Sequence, residues 1–202
     1  MNKQIKYYKS IPIYLGLILL LLESASVAQT KTNLEVLNQL VDSSVVKIND
    51  NILSTEKTIL LNYNTSDAFS VFRNQVVLDF ARLGKTISNS SANIIEYSIE
   101  DASVHYGDMF KEGIFGSYYV TRTVNLKGNY SIESSNSVPG KFNLAVIDSV
   151  AVDDITSLQN PAYPFTQDEL PTEPFFSSLF EPVIAIGSAA LAVILFFTVR
   201  SK

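Results

Sequence analysis

Residues 118–132 read YYVTRTVNLKGNYSI. Tyr118, Val120, Val124, Leu126, Tyr130 and Ile132 fall on one face of an extended chain, and Thr121, Thr123 and Asn125 on the other. A period of two marks a strand with one buried face and one wet face. A single straight strand of this length is unusual, so Gly128 is expected to mark a bulge or bend. The same alternation runs upstream, where Ile95, Tyr97 and Ile99 alternate with Glu96 and Ser98, and Val104 and Tyr106 with Ser103 and His105. Downstream, Phe142, Leu144 and Val146 share a face, and Ser135–Gly140, with its Pro139-Gly140 pair, reads as the preceding turn.

Ahead of these strands the period changes to that of a helix. Leu34, Leu37, Val41, Val45, Ile48 and Ile52 recur at helical spacing, and Thr32 with Glu35 forms a capping box, which predicts a helix over Asn33–Ile52. Thr58–Tyr63 is β-branched and apolar and reads as a strand, followed by a turn at Asn64-Thr65-Ser66. Phe69, Phe72, Val76, Phe80 and Leu83 then predict a second helix over Asp67–Leu83, with Gly84 as its left-handed cap. The order is α-β-α followed by a β-meander. This predicts a two-layer α+β domain at 29–150, with two N-terminal helices on one face of a mainly antiparallel sheet.

Both ends of the chain are apolar. Met1–Ala28 has Lys3, Lys6 and Lys9 ahead of the apolar run Ile11–Leu22, then Ser26-Val27-Ala28, the pattern of a cleaved signal peptide. No cysteine lies near the cut, so a lipoprotein signal is excluded. At the other end, 179–199 reads as one transmembrane helix, with Pro182–Val199 free of charge and Arg200-Ser201-Lys202 as a short cytoplasmic tail. Basic residues prefer the cytoplasmic side, and the chain from 142 to 199 has no Lys or Arg. The expected topology is type I: a single pass, with the domain outside, in the periplasm or at the cell surface. A removable lipid-anchor signal lacks its polar spacer, because Ser177-Ser178 runs into Leu179. Within the span, Ala185/Ala189 and Ser188/Ala192 are small-residue pairs that permit self-association.

Residues 151–178 carry Pro161, Pro164, Pro171 and Pro174 and several acidic groups. They read as an extended stalk with a reach of ~80 Å. Its aromatic residues Tyr163, Phe165, Phe175 and Phe176 suggest either packing back on the domain or seating in the membrane interface.

The chain of 202 residues has net charge −5. Removal of 1–28 takes away three Lys and one Glu and makes the remainder more acidic. Such a chain is a poor ligand for nucleic acid. With no cysteine, it has neither disulfides nor thiolate chemistry.

His105 is the one histidine, and alternation puts it on the polar face. Asp101 and Asp108 are near in sequence, but no nucleophile motif accompanies them, so no catalytic residue is assigned. A lone histidine without cysteine argues against zinc, and Asp153-Asp154 lacks the spacing of a calcium loop, so no metal or cofactor is expected. Arg122 is the anomaly, a guanidinium on the core face between Val120 and Val124. It requires a carboxylate or carbonyl partner, and Glu96, Asp101 and Asp108 are the candidates. Either this is an ion pair at the edge of the core, or it is a pocket for an anion. His105, Thr121, Thr123 and Asn125, with Ser98 and Ser103, form a polar sheet face that is either simply wet or a docking surface.

No phosphate loop, paired-carboxylate motif or cofactor fingerprint is present. The order of elements resembles the small periplasmic α/β domains of bacterial envelope-assembly proteins, such as those around curli export or penicillin-binding-protein activation. The expected function is that of a non-enzymatic, membrane-anchored envelope accessory with a protein partner. The alternative is an extracytoplasmic small-ligand-binding or sensing domain acting through a membrane partner.

Overall fold

A computed structural model describes residues 30–113, 116–134, 137–172 and 175–199; within the last segment, side chains are described for 182–198. The expected signal peptide and the tail 200–202 lie outside the described residues.

Helix α1 spans Asn33–Asn49, with Thr32 at its N-cap and both bonds of the capping box made to Glu35. Strand β1 spans Thr58–Tyr63. A 3-10 helix at Asp67–Phe72 leads into α2, Arg73–Arg82. Gly84 follows at φ 80°, where a side chain would be strained. The short β2 is Thr86–Ile87, and three long strands follow: β3 Ile94–Lys111, β4 Tyr118–Glu133 and β5 Ser137–Ala151.

The sheet has five strands in the order β2-β1-β3-β4-β5. The expectation of a mainly antiparallel sheet holds for β3, β4 and β5. β1 is parallel to both its neighbours, as the helical crossover through α2 allows. Inward residues of β3, β4 and β5 join those of α1, the 3-10 helix and α2 in one core, including Leu37, Val41, Phe72, Phe80, Tyr97, Val124, Leu126 and Phe142. The domain is therefore α+β, with helices packed on a five-stranded sheet.

Three local expectations are corrected. β4 runs through Gly128 without a break, paired to Ile99 and Phe142. A Cβ there would collide with the Phe142 ring and the Ser98 carbonyl, so glycine serves close approach rather than a bend. A bulge does fall at the level of Gly128, but on the partner strand: β3 shifts register between Ile99 and Asp101, opposite Gly128 and Lys127, and again between Tyr106 and Met109. Second, Ser137–Gly140 belongs to β5 and is not a turn. Pro139 is tolerated because β5 is an edge strand.

Third, the expected stalk folds back, at least as far as Asp168. Val152–Asp154 is a 3-10 turn, α3 is Ile155–Leu158, and Pro164–Thr166 is another 3-10 turn. Ile155, Leu158 and Thr166 are buried. Phe165 packs against Phe69 at 5.4 Å and Phe72 at 5.5 Å between ring centroids. The Thr166 hydroxyl donates to the Tyr163 carbonyl and accepts from the Asn160 N–H, which holds the segment in a closed loop. Aromatic burial outweighs the extended preference of its prolines.

Helix α4 spans Phe175–Val199, 25 residues. Among the described residues no helix is long and apolar enough to cross a membrane. The transmembrane helix expected from the sequence is thus not established by the structure.

Candidate functional site

Arg122 is fully buried at the middle of the sheet's inner face. Register decides its partner. β4 and β5 place Arg122 directly opposite Asp148. The guanidinium meets that carboxylate with two parallel bonds, Nε to Oδ1 at 2.9 Å and Nη2 to Oδ2 at 2.6 Å. Its Nη1 donates to the Lys31 carbonyl at 2.8 Å and to Asn33 Oδ1 at 2.9 Å. Asn33 is itself fully buried, and its amide nitrogen donates to the Tyr106 hydroxyl at 2.8 Å and the Thr166 carbonyl at 2.7 Å. One network therefore joins the start of α1, β3, β4, β5 and the folded-back segment. A bidentate guanidinium–carboxylate pair with satisfied neighbours is the arrangement in which a buried arginine is tolerated. Asp148 lies at the rim, 38% exposed.

The expected partners of Arg122 are elsewhere. Glu96 pairs across β4 with Ser131 and accepts hydrogen bonds from Asn62 and Asn64. Asp101 pairs with Lys127 and accepts from Ser103 at 3.3 Å. Asp108 sits exposed within the register shift after Tyr106. The arginine is enclosed by protein groups and presents no face to a ligand.

His105, Thr123, Asn125 and Ser103 do lie together on the outer face, His105 opposite Thr123 and Ser103 opposite Asn125. Thr121 is two residues from Thr123 on the same face. The His105 side chain is 71% exposed, and its Nδ1 lies 3.0 Å from Asp168 Oδ2. The same carboxylate oxygen accepts the Tyr106 N–H at 2.8 Å. β1 pairs β3 only as far as Tyr97, so among the described residues this edge of β3 has no strand partner at Tyr106. Asp168 takes a strand's place at one edge donor, and His105 leans on it from outside.

One cluster was not foreseen. Asp79 on α2 is 5% exposed. The Gln75 amide nitrogen donates both to Asp42 Oδ1 of α1 at 2.7 Å and to Asp79 Oδ1 at 3.1 Å, and Arg82 pairs with Asp79 at 2.9 Å. Burial, then the hydrogen bond that a protonated Asp79 donates to the Asp42 carboxylate, and the charge of Asp42, push the Asp79 carboxyl up to about 6 from an ordinary 3.8. The two carboxylates line a pocket of about 190 Å³ with Val46, Arg82 and Leu83. A sequence signal existed: Asp79 lies on the apolar stripe of its helix, three residues past Val76 and four before Leu83. Among the described residues no group of three or more metal-ligating side chains converges.

The fold and its centre define a small α+β domain whose conspicuous charge is spent on internal structure. No protein-family model and no curated protein matches the chain. Among solved structures it is similar to a minor lipoprotein from Acinetobacter baumannii, at 14% identity and TM-score 0.33 over 49% of this chain and 69% of that one. A neuraminyllactose-binding hemagglutinin homolog from Helicobacter pylori gives 8% identity and TM-score 0.32 over 49% and 67%. Rare lipoprotein B from Shewanella oneidensis gives 9% identity and TM-score 0.30 over 71% and 93%. Likenesses this slight assign neither activity nor partner.

Proposed function

We propose that this chain is an exported, membrane-anchored, non-enzymatic accessory protein of the bacterial cell envelope. Its domain would sit outside the cytoplasm and recruit or position an envelope protein partner. The observation that carries the reading is α4. Val183, Ile186, Leu191 and Phe197 are 61–69% exposed, and every described side chain of 182–198 is exposed. Apolar area left in water forfeits about 25 cal/mol per Å², a loss a bilayer removes. The signal-peptide pattern of 1–28 and the basic residues Arg200 and Lys202 agree with a domain outside and a C-terminus inside. The outer sheet face around His105, Thr121, Thr123 and Asn125 is the docking surface in this reading. Self-association through α4 has less behind it, since the Ser188 hydroxyl bonds its own helix at the Ala185 carbonyl. The ligand-binding alternative would place Arg122 or His105 in a concave site, and the enclosure of Arg122 by Asp148, Asn33 and Lys31 takes away the first of these.

The test is an in-cell crosslinking pull-down of the full chain beside a version truncated before Pro182. Enrichment of specific envelope proteins by the anchored form alone supports the reading. Recovery of the anchored chain in the soluble fraction, or of itself alone from correctly localised protein, overturns it.

A further inference from the structure

Phe110 and Tyr119 stack face to face across the outer side of the β3–β4 hairpin, with ring centroids 6.0 Å apart, and Phe110 is 43% exposed. In the next row toward the tip, on the opposite face of the ribbon, Lys111 holds its ammonium 5.0 Å from the Tyr118 ring. Two tyrosines with a cation at the same end, beside an apolar phenylalanine ring, form a side-chain set that favours the headgroup level of a membrane. The same end of the ribbon is where the chain is clamped. Asp168 is fixed by the Tyr106 N–H and His105, only four residues from Phe110, roughly 13 Å along a strand. From Asp168 to the first residue of α4, Phe175, the chain can span at most about 25 Å. The opposite hairpin, Glu133 to Ser137, lies eleven residues beyond Arg122 on β4, roughly 35 Å from the clamp. A linker this short reaches from the membrane to the aromatic end and not to the other.

We propose that the β3–β4 tip, through Phe110, Tyr119, Tyr118 and Lys111, seats in the interfacial layer of the bilayer that holds α4. This rests on the anchor reading of α4. The seating is shallow, because the exposed Glu112 at the tip keeps the hairpin at headgroup depth. It turns a loosely tethered domain into an oriented one, with β3, β4 and β5 rising from the membrane and the outer face open sideways to a partner.

The absence of cysteine permits a clean test. Full-length protein in phospholipid vesicles carries one environment-sensitive fluorophore at Ser117→Cys, Ser137→Cys or Ala189→Cys, and nitroxide lipids quench at headgroup or mid-chain depth. The expected result is mid-chain quenching at 189, loss of most emission at 117 with headgroup nitroxide, and little change at 137. Replacing Phe110 and Tyr119 with Ser should abolish quenching at 117 and leave 189 unchanged. Quenching at 189 without quenching at 117 overturns the seated tip and leaves the anchor standing. Equal quenching at 117 and 137 overturns it too, as a domain lying flat. No quenching at 189 refutes the anchor itself, and the seated tip with it.

Discussion

The Arg122 centre and the Asp42–Asp79 pair are both charged groups enclosed by the fold, yet they are compensated by different means. Arg122 meets an opposite charge in a two-bond fork, and its remaining described bonds go to a carbonyl and an amide. Asp79 meets a like charge, with Gln75 and Arg82 as partial relief, and takes up a proton more readily instead. The first solution is geometric. The second is chemical and makes the contact between α1 and α2 depend on pH. The lesson concerns where each kind of charge is placed. The geometric solution ties five parts of the chain together at the centre of the sheet. The pH-dependent one joins two helices at the mouth of a small pocket.

The largest effect should come from breaking the fork. Arg122→Ala strands Asp148 and removes the donors to Asn33 and the Lys31 carbonyl. Loss of one partner of a buried pair costs about 3–5 kcal/mol, so thermal denaturation should show a fall of roughly 10 °C or more. Arg122→Lys should recover little, because an ammonium cannot make the paired bonds. An unchanged Tm in the alanine variant would show that the network contributes no net stability. Asp148→Asn should follow, at about 1–3 kcal/mol, since Asp148 is 38% exposed and water can replace part of what it gives up. If Asp148→Asn proves as damaging as Arg122→Ala, the carboxylate rather than the guanidinium organises the centre.

The carboxylate pair should respond in the opposite direction. Asp79 has a carboxyl at about 6 in the fold and an ordinary value of 3.8. The native state therefore binds a proton that the unfolded chain still lacks between those values. On this account stability rises as pH falls through 6 toward 3.8, and the penalty is fully present above 6. Asp79→Asn mimics the protonated form. It should stabilise the domain at pH 8 by about 1 kcal/mol after allowance for solvent screening at the pocket mouth, and by nothing at pH 4. Urea denaturation at the two pH values reads this directly. A variant less stable than the parent at pH 8 would mean that the Arg82 pair outweighs the repulsion from Asp42.

Much of this architecture was legible in the sequence, because period and capping are local properties. Thr32 and Glu35 announced α1, and Thr58–Tyr63 is β1 to the residue. Arg122 was recognisable as buried from its place between Val120 and Val124. Its partner was not, because a cross-strand partner depends on register, and register depends on the turn. Reading Ser135–Gly140 as a turn removes Ser137–Gly140 from β5 and shifts that strand by several residues, which separates Asp148 from Arg122. Glu96, Asp101 and Asp108 were near Arg122 in a flat drawing of β3, but the two register shifts of that strand and its pairing rows put them elsewhere. The folded-back segment was legible only as one of two readings of its aromatic residues, and composition pointed the other way. Proline and acidic content describes a solvated chain, whereas the outcome is decided by Phe165 finding Phe69 and Phe72, residues almost a hundred positions away.

The outer histidine offers the smallest effect and the sharpest contrast with the buried centre. His105 and Arg122 sit in adjacent rows of the same ribbon, one facing out and one facing in. Both contact a carboxylate, but the His105 side chain is 71% exposed and its partner Asp168 already accepts the Tyr106 N–H. Solvent can replace the imidazole at little loss. His105→Ala should therefore change stability by only a few tenths of a kcal/mol at neutral pH. Asp168→Ala should be clearly worse, because it also leaves the Tyr106 edge donor without its acceptor. Comparison of the two in the same denaturation series tests whether the bond that holds the folded-back segment is the backbone one. Equal losses would place the histidine, not the strand edge, at the heart of that attachment.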